Sequence, residues 1–475
     1  MLIRHADLLQ HGRADVRLGN GLILEIGRGL RQHPGEGLLD ADGAALLPGL
    51  HDHHIHLRAL AAAMASVACG PPQVTGADSL AARLRQAAAQ ARPGDWIRGV
   101  GYHESVAGEL DRHWLDRHVA DRPVRIQHRS GRLWVLNSPA LERIGAREDG
   151  GEDPLERRDG RLTGRLYDAD AWLRARLGNA RQDLSAVSRR LAGFGVTGVT
   201  DTTPGNTRDD YAYFRAAHAR GELLQDVLVM GDNSLDDLRG ERRGGGVVRG
   251  PRKFHLHDAD LPELGEVCAA IEASHAARRP AAFHCVTRAE LVFALVALRE
   301  AGCIAGDRIE HAAVTPPDLL AQVAELGLIV VTQPNFIAER GDAYLRDVDA
   351  VDRPWLYRLR GFLAAGVALA GSTDAPFGDA NPWKAMQAAV DRRTAAGAMI
   401  GAGESLGPEE ALNLFLAPLC SPGQQPRALA VGASADLCLL DRPWAEARQA
   451  LGAVRVQCTF KAGALIWPAA TGSPE

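Results

Sequence analysis

The stretch Pro48-Gly49-Leu50-His51-Asp52-His53-His54-Ile55-His56 decides how this chain is read. Side chains two apart on a strand face the same way, so His54 and His56 project together from the strand's end, with Asp52 one step deeper on that face. His51 and His53 then point away, towards packing or surface roles. Two imidazoles so placed can chelate one divalent metal. Alone, in a chain with 17 histidines, the pair fits a surface or supporting role equally well.

Working outward, the run Ala44–Leu57 is the first of eight short apolar or β-branched runs, each followed by a longer helical pattern. The others are Gly195–Thr203, Leu223–Gly231, Arg252–Asp258, Ala281–Val286, Arg308–Ala312, Leu328–Gln333 and Val367–Asp374. Eight strands alternating with helices predict an α/β fold, a (β/α)8 TIM barrel. The long gap after the first run predicts an inserted subdomain over about 71–185, with strands at Trp96–Tyr102 and Pro123–Gly131 and a helix at Ser79–Arg92. Alternating apolar and polar residues flank Gly19-Asn20-Gly21, a hairpin signal, and the same pattern returns at Ala435–Leu440 and Val454–Phe460. Both termini, 1–47 and 422–475, are therefore expected to build a small β-sandwich domain around a barrel of 48–421.

Composition narrows the function classes. The chain has 475 residues, 46% hydrophobic and 24% charged, with a formal net charge of −5, so a basic nucleic-acid surface is not expected. No apolar run approaches the roughly 20 residues that span a bilayer. The seven cysteines are scattered and never in a Cys-x-x-Cys pair, against both a disulfide framework and a thiolate zinc site. The expected setting is cytoplasmic and the expected partner a small-molecule substrate, with no nucleic acid, no membrane, and a homodimer left open. Lysine occurs only at Lys253, Lys384 and Lys461. A lysine in so arginine-rich a chain marks a place where a group able to lose its proton is useful.

Three more potential ligands close predicted barrel strands: His284, His311 and Asp374. That end of the barrel is where active sites of this fold are assembled. Together with His54 and His56 they favour a metal site.

At this point the chain resembles the amidohydrolase superfamily, in its amidohydrolase-3 branch, which includes N-substituted formamide deformylases and relatives of D-aminoacylases. The resemblance rests on 48–56, Trp96-Ile97-Arg98-Gly99-Val100-Gly101-Tyr102, Asn137-Ser138-Pro139-Ala140-Leu141, Arg308-Ile309-Glu310-His311, Gly371-Ser372-Thr373-Asp374-Ala375-Pro376 and Gly432-Ala433-Ser434-Ala435-Asp436-Leu437. It implies one or two divalent metal ions, zinc being the expected one, held by His54, His56, Lys253, His284, His311 and Asp374. It also implies that carbon dioxide carboxylates Lys253 to an N6-carboxylysine. A carbamate is an anionic bidentate bridge, whereas an ammonium between two cations is repelled. Asp374 is implied to ligate metal, take a proton from a metal-bound water and pass it to the leaving amine.

Three departures from the family pattern bear on the substrate: Ser130-Gly131-Arg132 for Asp-Gly-His, His255-Leu256-His257-Asp258 after the lysine, and Cys285-Val286-Thr287-Arg288 after His284. Tyr102, Arg129, Arg132, Trp134, His255 and His257 are the candidate substrate contacts. An arginine fork suits a carboxylate. His255 and His257 share the face of Lys253 and fit substrate contact, support or rival ligation.

The expected reaction is hydrolysis of a C–N bond in an amide or N-acyl amine by a metal-bound hydroxide, with Asp374 as the proton shuttle. The alternatives are a mononuclear deaminase of a heterocyclic amine and a metal-free binding protein on the same fold. Thr287 stands where superfamily deaminases commonly carry glutamate, which counts against the first. No Gly-x-Ser-x-Gly elbow suggests a serine hydrolase.

Overall fold

A computed structural model of the chain describes residues 1–71, 73–92, 94–149, 153–177, 182–238 and 246–467. It divides into two compact units, Met1–Leu57 with Leu184–Glu475, and Arg58–Asp183. The expected terminal segment 422–475 is thus described to residue 467.

The first unit holds an eight-stranded parallel sheet whose strands follow in chain order: Leu50–Ile55, Val196–Asp201, Asp226–Gly231, Val247–His255, Ala281–Cys285, Arg308–His311, Ile329–Thr332 and Ala368–Gly371. Seven of the eight expected runs contain one of them, and the remaining run, Arg252–Asp258, overlaps the strand Val247–His255 only over its last four residues. Strands of a parallel barrel are covered on both faces, which is why they read as apolar runs without alternation. The last strand returns to the first through Asp374 N–H, which donates to His54 O at 2.9 Å. This is an almost closed (β/α)8 barrel. Its helices begin with local signals visible in the sequence. Arg288–Ala301, for example, follows a capping box in which Glu290 N–H donates to Thr287 Oγ1 and the Glu290 carboxylate accepts from Thr287 N–H. Such a cap contributes about 1 kcal/mol.

The same unit holds a second eight-stranded sheet built from both ends of the chain. Its hairpin Gly12–Gly19 and Leu22–Gly27 turns at Asn20 and Gly21, both at positive φ, as a two-residue turn requires. The expected first run, Ala44–Leu57, turns out to be two strands. Ala45–Pro48 pairs in parallel with Leu2–Leu8 and antiparallel with Leu437–Leu440, whereas Leu50–Ile55 starts the barrel. Gly49 makes the transfer. A Cβ there would lie 2.3 Å from Thr197 Cγ2, so no other residue fits so close to the second barrel strand. Ile3, Leu8, Val16, Leu46, Leu437, Leu439 and Phe460 form the apolar core of the terminal sheet. Lys461 Nζ, held by Asp226 and Asp436 at 2.8 Å each, pins that sheet to the third barrel strand.

The second unit is built on a six-stranded sheet in the order Leu155–Arg158, Arg161–Tyr167, Leu133–Leu136, Val124–His128, Ile97–Tyr102, Val67–Ala68. Ile97, Val124, Ile126 and Val135 pack on one side with Leu80 and Leu84 of the helix Ala77–Gln90. Trp134, Leu136 and Leu166 pack on the other with Leu141 and Leu173. Among the described residues no helix is long and apolar enough to cross a membrane.

Candidate metal centre

The first barrel strand is buried throughout, so every histidine in it needs either a partner or a neutral ring. His51 Nδ1 contacts Ala417 O at 3.0 Å. His53 has no hydrogen bond at either nitrogen, and burial first, then the Arg308 charge, pushes its pKa down to about 3. Both are packing residues. Asp52 lies deeper and accepts from Thr373 Oγ1 at 2.5 Å and Thr373 N–H at 3.1 Å, tying the first strand to the end of the last. Burial outweighs those hydrogen bonds and raises its pKa to about 7.

His54 and His56 reach the same carboxylate oxygen. Their Nε2 atoms lie 3.4 and 3.3 Å from Asp374 Oδ1. His54, His311 and Asp374 offer donor atoms within 4.8 Å of one another, all three side chains being buried. The ring of His284 is 4.4 Å from that of His311. Asp374 Oδ1 and Lys253 Nζ are buried and make no hydrogen bond among the described residues. Burial lowers the Lys253 amine to about 8. Its charge in turn helps hold the His54, His284 and His311 rings neutral, after burial itself.

Three supporting contacts hold the rings at Nδ1. His54 Nδ1 contacts Glu310 Oε2 at 2.5 Å, His56 Nδ1 contacts Thr203 Oγ1 at 3.0 Å, and His311 Nδ1 contacts Gln333 Oε1 at 2.7 Å. The Glu310 and Gln333 oxygens can only accept, so His54 and His311 carry their proton on Nδ1 and keep the Nε2 lone pair, as ligating histidines require. Glu310 is held by Arg308, whose Nε donates to Oε1 at 2.5 Å, and Gln333 donates to Ser372 Oγ at 2.9 Å. His311 and Asp374 both adopt left-handed backbone, with φ of 68° and 54°. Non-glycine residues there carry about 1–3 kcal/mol of strain, of the kind kept where a side chain must be aimed. Unpartnered Oδ1 and Nζ, the neutral rings of His54 and His311 with Nε2 free, and buried walls together fit a divalent metal.

The structure thus brings His54, His56, His311 and Asp374 together, with His284 beside His311 and Lys253 unpartnered among them. His255 and His257 are exposed at the end of the fourth strand. Their rings are 4.4 Å apart, and His255 stands 4.4 Å from His284. The other four substrate candidates belong to the second unit. Tyr102 is buried and its hydroxyl donates to Gly108 O at 2.6 Å. Trp134 is buried in the apolar cluster with Leu136 and Leu166. Arg132 is exposed and grips Asp168 through Nε at 2.8 Å and Nη2 at 2.5 Å, while Arg129 is exposed with its N–H on Tyr102 O. Sequence reasoning missed Glu310, Arg308, Gln333 and Thr203. It also missed Phe377, an exposed ring edge-on to His56 at 5.4 Å.

Comparison with known proteins agrees with this geometry. A model described as the amidohydrolase family matches residues 37–466. The chain is 27% identical to the N-substituted formamide deformylase of Arthrobacter pascens, over 86% of this chain and 85% of that one. In fold it is similar to an uncharacterized metal-dependent hydrolase from Pyrococcus furiosus, with a TM-score of 0.76 and 22% identity over 93% and 98% of the two chains. It is also similar to the atrazine chlorohydrolase TrzN of Arthrobacter aurescens TC1 solved with zinc, with a TM-score of 0.55 and 14% identity over 99% and 97%. The family match spans most of the sequence: the chain belongs to the amidohydrolase family and is a hydrolase of carbon–nitrogen bonds.

Proposed function

We propose that this protein is a metal-dependent hydrolase of an amide or N-acyl amine, with His54, His56, Lys253, His284, His311 and Asp374 holding one or two divalent ions, zinc first among them. The observation that carries the reading is the convergence of two Nε2 atoms on the unpartnered, buried Oδ1 of Asp374. A bound divalent ion supplies Lewis acidity, lowering the pKa of a coordinated water and polarising a carbonyl.

The remaining chemistry belongs to the chain's own side chains. Asp374 Oδ1 has a free lone pair, so it can take a proton from water and return it to the departing nitrogen as the C–N bond breaks. The imidazoles of His54 and His311 are kept neutral by burial, which leaves them donors of lone pairs rather than competing cations. With an amine near 8, roughly a tenth of Lys253 is unprotonated at pH 7, against under about a thousandth for an ordinary lysine. That free amine can add carbon dioxide at Nζ and lose a proton, giving an anionic carboxylate at a position walled off from water.

Metal analysis of protein purified without chelator, paired with a panel of formamides, N-acyl amino acids, cyclic amides and esters, tests the proposal. Near-stoichiometric metal and turnover of an amide or formamide are expected. Metal far below one equivalent together with no metal-stimulated hydrolysis would remove the reading's support.

A further inference from the structure

The second unit carries an arginine whose charge no carboxylate among the described residues answers. Arg98 and Arg125 are direct cross-strand neighbours on adjacent parallel strands, so their side chains leave the same face of the sheet. The Arg125 guanidinium lies over two indoles, 5.6 Å from Trp96 and 5.3 Å from Trp134. Arg98 lies over Trp134 at 5.4 Å, and Arg143 over Trp96 at 5.7 Å. Three cations and two aromatic rings alternate along this stack. Arg98 is anchored, donating to Ser66 Oγ at 2.7 Å and Gln127 Oε1 at 3.1 Å. Arg125 is partly buried and makes no hydrogen bond and no ion pair among the described residues, and its Nε is buried without a partner.

Other buried arginines of the protein are handled differently. Arg279 donates to Gly250, Gly231, Pro251 and Asp236, Arg392 to three backbone carbonyls, and Arg308 to Glu310 and His53 O. Burial and the Arg98 charge together push the Arg125 pKa down to about 10. The guanidinium lies within cation–π range of both indoles, whose attraction offsets part of the desolvation. Its edge, with five N–H donors in a fixed fork, is left unused.

We propose that Arg125, clamped between Trp96 and Trp134 and backed by Arg98, is a binding site for a small oxyanion, the carboxylate or phosphate group of a free metabolite or ligand. The guanidinium edge offers two parallel donors to such a group, and a neighbouring second cation strengthens the attraction. The site lies wholly within Arg58–Asp183 and includes none of the proposed metal ligands.

Titration of the full-length protein with sodium acetate and, separately, sodium phosphate, against sodium chloride at matched ionic strength, reads the site through tryptophan fluorescence and calorimetry. Trp96 and Trp134 are two of only eight tryptophans, so a saturable change in the millimolar range is expected for at least one oxyanion and none for chloride. Acetate alone responding identifies a carboxylate ligand, and phosphate alone a phosphate. Arg125→Gln is expected to weaken that binding about tenfold or more, the scale of a lost charge-assisted pair. Trp134→Phe is expected to remove much of the oxyanion-dependent fluorescence change, which localises the response to this stack. No saturable response to either oxyanion, or an Arg125→Gln protein that binds like the parent, would overturn the proposal and leave the stack a packing feature.

Discussion

Glu310 and His54, distant in the chain, meet in the barrel interior with Oε2 2.5 Å from Nδ1. The carboxylate is fully buried, and burial would raise its pKa, but the Arg308 and Lys253 charges hold it below the ordinary range. It is therefore an anion that fixes the tautomer of His54 and raises the basicity of its Nε2. Glu310→Gln keeps the shape and removes the charge. Metal affinity should fall about 10- to 100-fold, read by competition with a chromophoric chelator, while kcat at saturating metal changes less. Unaltered affinity would show that the contact only packs.

Lys253→Arg replaces a titratable amine by a permanent cation. Activity should disappear and metal content should drop, measured by elemental analysis. In Lys253→Ala, a short carboxylic acid added in millimolar amounts should restore part of the activity by standing where the carbamate would. A fully active arginine variant would show that no carbamate is used.

Asp374→Asn is expected to retain most of the metal and lose more than about 100-fold in kcat, the scale of removing a positioned proton shuttle. Elemental analysis beside steady-state kinetics separates the two effects. Turnover near that of the parent would move proton transfer to another group.

Acid sensitivity has a named source away from the metal. Glu404 accepts from Leu359 N–H at 2.9 Å, Gly361 N–H at 2.8 Å and Arg358 Nε at 2.7 Å. Burial pushes its carboxyl up, but these bonds outweigh burial and the net value is lowered. A depressed folded-state pKa gives stability that is present above the unfolded value, near 4.5, and is lost as pH falls through the folded one. Glu404→Gln should cost about 1–3 kcal/mol near neutrality. The difference in melting temperature from the parent should shrink below pH 4.5, which thermal unfolding across pH would detect.

The barrel was legible because parallel strands covered on both faces leave apolar runs, and because candidate ligands fall at the ends of those runs. What escaped reading has physical reasons. Ala44–Leu57 looks like one strand because both sheets bury it, and only the space at Gly49 reveals the break. The supports of His54, His56 and His311 lie 256, 147 and 22 residues from them, so no local pattern announces Glu310, Thr203 or Gln333. Tyr102 and Trp134, expected as substrate contacts, are both buried within the second unit.

Ala45–Pro48 lies between a strand from the beginning of the chain and Leu437–Leu440 near its other end. Its second edge therefore stays bare until Leu437–Leu440 has been made. Leu437–Leu440 thus acts as a clasp on a strand nearly four hundred residues earlier, and a chain cut before residue 437 is expected to keep an open, sticky border there.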